Sequence, residues 1–403
     1  FDVEIFDIDV SRSTCGVLMG FSNLVTVWNV TSSNSTLGLL AVSCSMVHVH
    51  NSTFKHNTQT ATLIQNSNSC KISHCSYHFN REGVYFLSTS ESSITNIFGT
   101  SSTLYIVRIQ HGSKNIVSDN VMEHSGTGIR LQQTYYNTLK FNLVRNNYNG
   151  VYASNSDKNL FVSNAFLDCV NPAVDFGINI YDDGYSRGGN YWSDHTGMDV
   201  YHGVYQDLRG SDGIVDVRRK INKETADRYP LKYSPFDDAP AFTLALFPGW
   251  NLVSVPVIEY PVSVEEFFQP VLDHILTVQC YRDGEWLSWD YRNPPWLNNL
   301  LYMDYSMGIW VRVNSSTPLE LPLWLPVVIG VEIQMKKGWN LVGLPIEESG
   351  MTLSRVFAGV PWDIIQGFDA DRPYMLRTLP GTKETRPGEG YWIHVTQDCV
   401  WSP

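Results

Sequence analysis

The sequence predicts an all-β chain: a right-handed parallel β-helix of about eight turns of 22–23 residues, then two small β-rich, sandwich-like modules. Three observations carry this. An apolar column recurs every 22 or 23 residues, a short asparagine-centred text recurs beside it, and two tryptophan motifs return in the same order further on.

The column runs through Leu18, Leu40, Thr62, Val84, Ile106, Ile129, Val151 and Val174. The asparagines fall at Asn96, Asn120, Asn142 and Asn164, in texts such as Lys140-Phe141-Asn142-Leu143. Runs of this kind alternate with the period of two expected of strands. Gly83, Gly128 and Gly150 each precede a column residue, where a tight corner is expected. A repeat this short that holds two or three strands leaves no room for a helix, and the leucine signature of a leucine-rich repeat is absent. Stacked turns of a β-helix remain, and asparagines at equivalent places would form side-chain ladders. The alternating stretch Phe1–Val10 reads as a strand with a bare edge, expected to be covered either by more chain upstream or by another protein, including further copies of the chain.

Composition narrows the function. Charged residues make up only 17% and the formal net charge is −12, with no extended Lys/Arg cluster, so nucleic acid is excluded as a partner. No run is long and apolar enough to span a bilayer. Seven cysteines, at 15, 44, 70, 75, 169, 280 and 399, show no zinc spacing and read as thiols filling a core. Sequons at Asn29, Asn34, Asn51 and Asn314 are candidate glycosylation sites and point to an extracellular, cell-surface location.

After the last turn stands Gly188-Gly189-Asn190-Tyr191-Trp192-Ser193-Asp194, followed by Ser211-Asp212-Gly213-Ile214-Val215-Asp216 and then Asp227-Arg228-Tyr229-Pro230-Leu231. These segments resemble the end of NosD-like β-helix proteins, also described as carbohydrate-binding and sugar-hydrolase-type β-helices, many of them on archaeal cell surfaces. Val215 stands where that pattern carries glycine. The expected domains are a β-helix over 1–187, a closing segment over 188–238, and modules over 239–326 and 327–403. Tyr191 and Trp192 are expected to plug the final turn. Asp199, Asp207, Asp212 and Asp216 form a candidate cation site, calcium being the ion such carboxylates favour. The family name suggests copper handling, for which His48, His50, His56, His74 and His78 are the candidate ligands.

Catalysis has weaker support. Asp182-Asp183 is the obvious acidic pair, and Arg108-Ile109-Gln110-His111-Gly112 faintly echoes polygalacturonase motifs, but in the reverse order. Adjacent acids on a strand would point to opposite faces. The expectation is therefore that the chain is not an enzyme. A polysaccharide hydrolase or lyase is the alternative, and a copper-handling protein the second.

At the C-terminus, Gly249-Trp250-Asn251-Leu252-Val253 recurs as Gly338-Trp339-Asn340-Leu341-Val342, and Gly308-Ile309-Trp310-Val311 as Gly390-Tyr391-Trp392-Ile393. This resembles the GWNLVSLP-type repeat of surface proteins. A proline-rich stretch from Pro318 to Pro326 is expected to join the modules, and short helices to lie near Val264–Phe268 and Leu353–Phe357. Trp286, Trp289, Tyr291 and Trp296 are dense enough to stack on sugars. The reading that results is a structural or adhesive surface protein, such as an S-layer, sheath or filament subunit or a glycan-binding ectodomain. Its partners would be itself, other surface proteins or glycans.

Overall fold

Eight parallel strands stack into one long sheet: β1 (Cys15–Gly20), β2 (Leu37–Val42), β3 (Thr60–Gln65), β4 (Glu82–Leu87), β5 (Tyr105–Gln110), β6 (Thr127–Gln132), β7 (Asn149–Ser154) and β8 (Asn171–Asp175). A second sheet of fifteen strands runs up one remaining face and down the other, bridged by the eleven-residue strand Asn23–Ser33. The N-terminal strand Val3–Ser11 pairs in parallel with Asn23–Ser33. This is a right-handed parallel β-solenoid. The computed structural model describes residues 3–237, 242–255, 261–323, 331–344, 350–368 and 375–402. The chain divides into two units, residues 1–208 with 213–238, and residues 209–212 with 239–403. The expected boundary at 239–240 and the proline-rich stretch beyond residue 323 lie outside the described residues.

The period was legible, but the register slips by one in places. The residues that stack inward are Val17, Leu39, Thr62, Val84, Val107, Ile129, Val151 and Ala173. Leu18, Leu40 and Val174 of the sequence column instead occupy the outward row, in register with Leu63, Arg108 and Tyr152. The cause is a repeated irregularity: β2 to β7 each place at least two consecutive residues inside, such as Ile106 and Val107. The glycines occupy the first of these positions. A Cβ on Gly83 would lie 2.5 Å from the Ile106 carbonyl oxygen, and one on Gly150 2.4 Å from that of Pro172. Close approach of the next turn's backbone, rather than a corner conformation, is what demands glycine there.

Asparagines tie the turns together. Asn120 donates from Nδ2 to Asn142 Oδ1 (2.8 Å), Asn142 to Asn164 (2.8 Å) and Asn164 to Asn190 (2.8 Å), all fully buried. A second ladder runs Asn137, Asn159, Asn179. Each asparagine also satisfies the backbone at its corner; Asn142 donates to the Val117 carbonyl and accepts from the Asn120 amide. Asn96 does not belong to the ladder. It is exposed with φ 53°, and the backbone N–H of Ile97 takes the ladder position by donating to Asn120 Oδ1. Asn142→Ala leaves several buried groups unpaired and should cost roughly 2–4 kcal/mol. Asn96→Ala should stay within about 0.5 kcal/mol. Urea unfolding followed by far-ultraviolet circular dichroism checks both, and equal effects would refute the ladder assignment.

In the second unit two four-stranded antiparallel sheets share one strand order. The first holds β9 (Gly249–Ser254), β10 (Ile275–Arg282), β11 (Glu285–Asp290) and β12 (Gly308–Val313). The second holds β13 (Gly338–Gly343), β14 (Trp362–Phe368), β15 (Leu376–Thr378) and β16 (Gly390–Val395). In each, the opening motif strand pairs with the closing one: β9 with β12, β13 with β16. The short helices Val264–Phe267 and Leu353–Val356 fall where the sequence placed them. The two sheets meet reciprocally. The Ser254 amide donates to the Gly388 carbonyl (2.8 Å), and at the equivalent place the Gly343 amide donates to that of Ser306 (3.0 Å). Trp310 packs on Phe368 at 4.8 Å, and Trp392 on Tyr281 at 5.4 Å. Equivalent residues swap partners, as in a two-fold interface. A Cβ on Gly308 or Gly390 would come within 2.7 Å of the facing backbone oxygen of Val342 or Val253, which accounts for glycine opening both closing motifs.

Candidate active site on the solenoid face

The outward row of the eight-stranded sheet changes character along its length. It carries Leu18, Leu40 and Leu63 on the first three turns, then Tyr85, Arg108, Arg130 and Tyr152. Strand stacking at about 4.8 Å per turn places the two arginine backbones side by side. Like charges directly opposite repel, so such a pair needs compensation.

Arg108 is well provided for. Its Nη1 contacts Glu82 Oε1 (3.1 Å), its Nη2 donates to Gln110 Oε1 (2.8 Å), and its guanidinium lies 4.3 Å from the Tyr85 ring centroid. Tyr85 donates its hydroxyl to the same Gln110 oxygen (2.6 Å). One polar atom remains over: Arg108 Nε is buried without a hydrogen-bond partner. Arg130 lies 4.2 Å over the Tyr152 ring and donates to Ser154 Oγ (3.1 Å). Among the described residues no carboxylate pairs with Arg130. Burial, and to a smaller degree the Arg108 charge, pull its guanidinium below its usual range. The one carboxylate at this pair, Glu82, contacts Arg108 alone; it is itself buried and also accepts from Thr60 Oγ1 (3.1 Å). His111, exposed at the corner after β5, places Nε2 3.2 Å from the Gln110 amide. Phe176, exposed, approaches Tyr152 at 5.7 Å and extends the aromatic row.

The sequence touched this site only through the Arg108–Gly112 segment. It missed Glu82, Tyr85, Arg130 and Tyr152, and also Tyr105, whose ring centroid lies 5.5 Å from the Arg108 guanidinium, and Gln132, whose Oε1 accepts from Arg108 Nη2 at 3.5 Å, because the column it followed was largely the inward one. The readable signal was Tyr85, Arg108, Arg130, Tyr152, each one residue beyond the inward row.

The other candidates fare differently. Asp182 and Asp183 diverge: Asp182 is buried and paired with Arg228 at 2.6 Å, whereas Asp183 meets Arg187 at the surface. Burial alone would raise the Asp182 carboxyl, but the hydrogen bonds from Arg228 and two backbone amides hold it below the usual carboxylate range. The carboxylates of Asp199 and Asp216 are spent on backbone N–H groups: Gly213 for Asp199, Val200 and Tyr201 for Asp216. With Asp207 and Asp212 they do not assemble, and among the described residues no three His, Cys, Asp or Glu side chains are placed to hold a metal. His48 instead contacts Ser73 Oγ (3.1 Å) and lies 4.6 Å from His50. All seven cysteines are unpaired thiols; burial pushes those of Cys75, Cys169 and Cys280 up to about 11. Asn29, Asn34, Asn51 and Asn314 are all exposed. Trp192 is fully buried and stacks on Phe166 at 4.5 Å, while Tyr191 is half-exposed and contributes less to closing the turn. Of the proposed sugar platform, Trp289 is buried with its Nε1 on Glu265 (2.5 Å), while Trp286, Tyr291 and Trp296 are exposed. No described helix is long and apolar enough to cross a membrane.

The family described as periplasmic copper-binding protein (NosD) matches residues 8–197, so its resemblance to the chain covers the solenoid. No curated protein matches the sequence. Among solved structures, the periplasmic alginate epimerase AlgG is similar at 19% identity over 38% of each chain, with a TM-score of 0.35. The tailspike protein of E. coli bacteriophage HK620, solved with a pentasaccharide, matches at 12% identity over 44% of each chain, with a TM-score of 0.32. The A-module of the Azotobacter vinelandii mannuronan C-5 epimerase AlgE6 matches at 11% identity over 42% of this chain and 63% of its own, with a TM-score of 0.22. The chain thus spans about two fifths of the AlgG epimerase, and the likeness reaches the fold only. The expectation of a non-enzyme is not supported by these comparisons: the solved structures similar to this chain include epimerases and a capsular polysaccharide depolymerase.

Proposed function

We propose that the chain is a carbohydrate-active protein, working outside the cytoplasm, that binds an acidic polysaccharide along the outward face of β4–β8 and acts on it as a lyase. One observation carries the reading: Arg108 and Arg130 stand in register on adjacent turns, and only Arg108 is paired with a carboxylate, Glu82, on a chain of net charge −12. A local excess of positive charge on an acidic protein attracts an anionic chain. Guanidinium groups pair with carboxylates in bidentate fashion, and the row from Tyr85 to Phe176 offers rings for the flat faces of sugars over about four strand spacings, roughly 19 Å.

The chemistry follows from the residues. An arginine that pairs with a uronate carboxylate stabilises the charge that develops when the neighbouring ring carbon loses its proton. The freed electron pair forms a carbon–carbon double bond as the glycosidic carbon–oxygen bond breaks, and the departing oxygen takes a proton. His111 and the hydroxyls of Tyr85, Tyr105 and Tyr152 are the proton-transfer groups at hand. Hydrolysis by two opposed carboxylates fits this patch poorly, because Glu82 is its one carboxylate among the described residues and is already ion-paired.

The test uses the full chain with alginate and polygalacturonate against neutral glucans, reading affinity and the absorbance of an unsaturated uronate product. Arg108→Ala and Arg130→Ala are each expected to lower turnover about 100-fold or more. Equal affinity for neutral and acidic polymers, or full activity in both variants, would sink the proposal.

A further inference from the structure

Apart from the solenoid face, the second unit carries a groove that nothing above uses. It has a volume of about 440 Å³ and is lined by Trp250, Trp286, Trp310, Trp392, Phe368 and Gln279 among others. Three of these tryptophans belong to the duplicated motifs: Trp250 opens the first copy, and Trp310 and Trp392 close the two copies. The groove is therefore a product of the reciprocal docking of the two sheets, and neither copy forms it alone.

Its chemistry is selective. No ionisable side chain lines it. Its ring pairs meet edge to face (Trp250 with Trp310 at 88°, Trp310 with Phe368 at 73°, Trp286 with Trp392 at 65°), so the rings are not consumed by stacking on one another. Trp286 is 51% exposed at its rim. Gln279 faces Trp310 in the β10–β12 pairing, just as Gln366 faces Trp392 in the β14–β16 pairing. Both side chains are half-buried, and the Gln279 amide makes no hydrogen bond to a described residue. A free amide amid indole faces, with no ionisable side chain in the lining, complements a ligand that is flat and apolar on its faces and polar at its edge. Those are the properties of an uncharged pyranose ring, whose C–H faces lie on aromatic rings while its hydroxyls reach donors and acceptors at the edge. The Arg312 guanidinium stands outside the lining, 5.9 Å from the Trp250 ring.

We infer that this groove binds a neutral glycan chain, as a second carbohydrate site independent of the charged face on the solenoid. The experiment is calorimetry and tryptophan fluorescence on the full chain with three neutral hexasaccharides: β-1,4-glucan, α-1,4-glucan and β-1,4-mannan. At least one should bind saturably. Trp286→Ala should weaken that binding at least tenfold and Gln279→Ala several-fold. Trp296→Ala, at a 79% exposed residue outside the groove lining, should leave it unchanged. Arg108→Ala should also leave it unchanged, which separates a failure here from a failure of the solenoid site. The inference is overturned if no hexasaccharide saturates, if Trp286→Ala and Gln279→Ala bind like the parent, or if a polyproline peptide binds in place of sugar.

Discussion

Trp192→Ala is expected to destabilise the solenoid by roughly 3–5 kcal/mol, the range for deleting a buried aromatic side chain. Trp192 continues the aromatic row of the preceding turn, pairing in parallel at Phe166 and stacking on its ring at 4.5 Å. Its other side is covered by Arg219, whose guanidinium lies 4.1 Å from the ring and is held there by two hydrogen bonds to Asp194. The indole Nε1 donates to Asp227 Oδ2 at 2.9 Å. Alanine removes the ring that shields the last turn and strands a buried carboxylate. Trp192→Phe keeps the stack and loses only the hydrogen bond, so it should cost about 1–2 kcal/mol. Urea titration gives both values, and hydrogen exchange at Ala165–Leu167 shows whether the loss is local. An alanine variant within about 1 kcal/mol of the parent would mean that the last turn is closed by something else.

The sequence made the solenoid legible because a β-helix repeats its physics every turn, and errors in one turn are corrected by the next. Its closing tryptophan was legible for a related reason, since a large aromatic after the last repeat has an obvious surface to cover. The register was not legible. With at least two consecutive inward residues in most of these strands, a count of 22 or 23 cannot tell Leu18 from Val17, and a slip of one residue exchanges the core row for the surface row. That ambiguity hid the arginine pair: Arg108 and Arg130 are 22 residues apart, but the column beside them was read as the whole signal. Asn96 misled in the same way, lying 24 residues before Asn120 where the ladder needs 23 and finds Ile97. The acidic residues after the solenoid pose a different question. Clustered in sequence, they read as a cation site, whereas in the structure the carboxylates of Asp199 and Asp216 accept from backbone amides.

Asp227 carries the largest expected pH effect. It is fully buried, and four N–H groups converge on it: the Asn190 amide (2.8 Å) and side chain (3.4 Å), Trp192 Nε1 (2.9 Å), and the Tyr229 amide (3.2 Å). Gly189 must be glycine because a Cβ there would lie 2.0 Å from the same carboxylate. Burial outweighs these donors and pushes the Asp227 carboxyl up to about 7, from an ordinary value of 3.8. Between those values the folded chain holds a proton that the unfolded chain has released. The Asp227 contribution to stability therefore falls as pH rises from about 4 to about 7, at about 1.4 kcal/mol per pH unit. Other groups act in the same window, with Asp175 raised by burial and His48 and His78 lowered by it. They act equally in Asp227→Asn, so the difference between parent and variant isolates Asp227. Relative to the variant, the parent should lose roughly 3–4 kcal/mol across the window. Asparagine keeps one acceptor but turns an N–H group toward other N–H groups, so the variant should also be less stable than the parent near pH 4. Urea titrations of both proteins over this range measure the slope. A difference that stays constant with pH would show that the converging amides hold Asp227 ionised throughout.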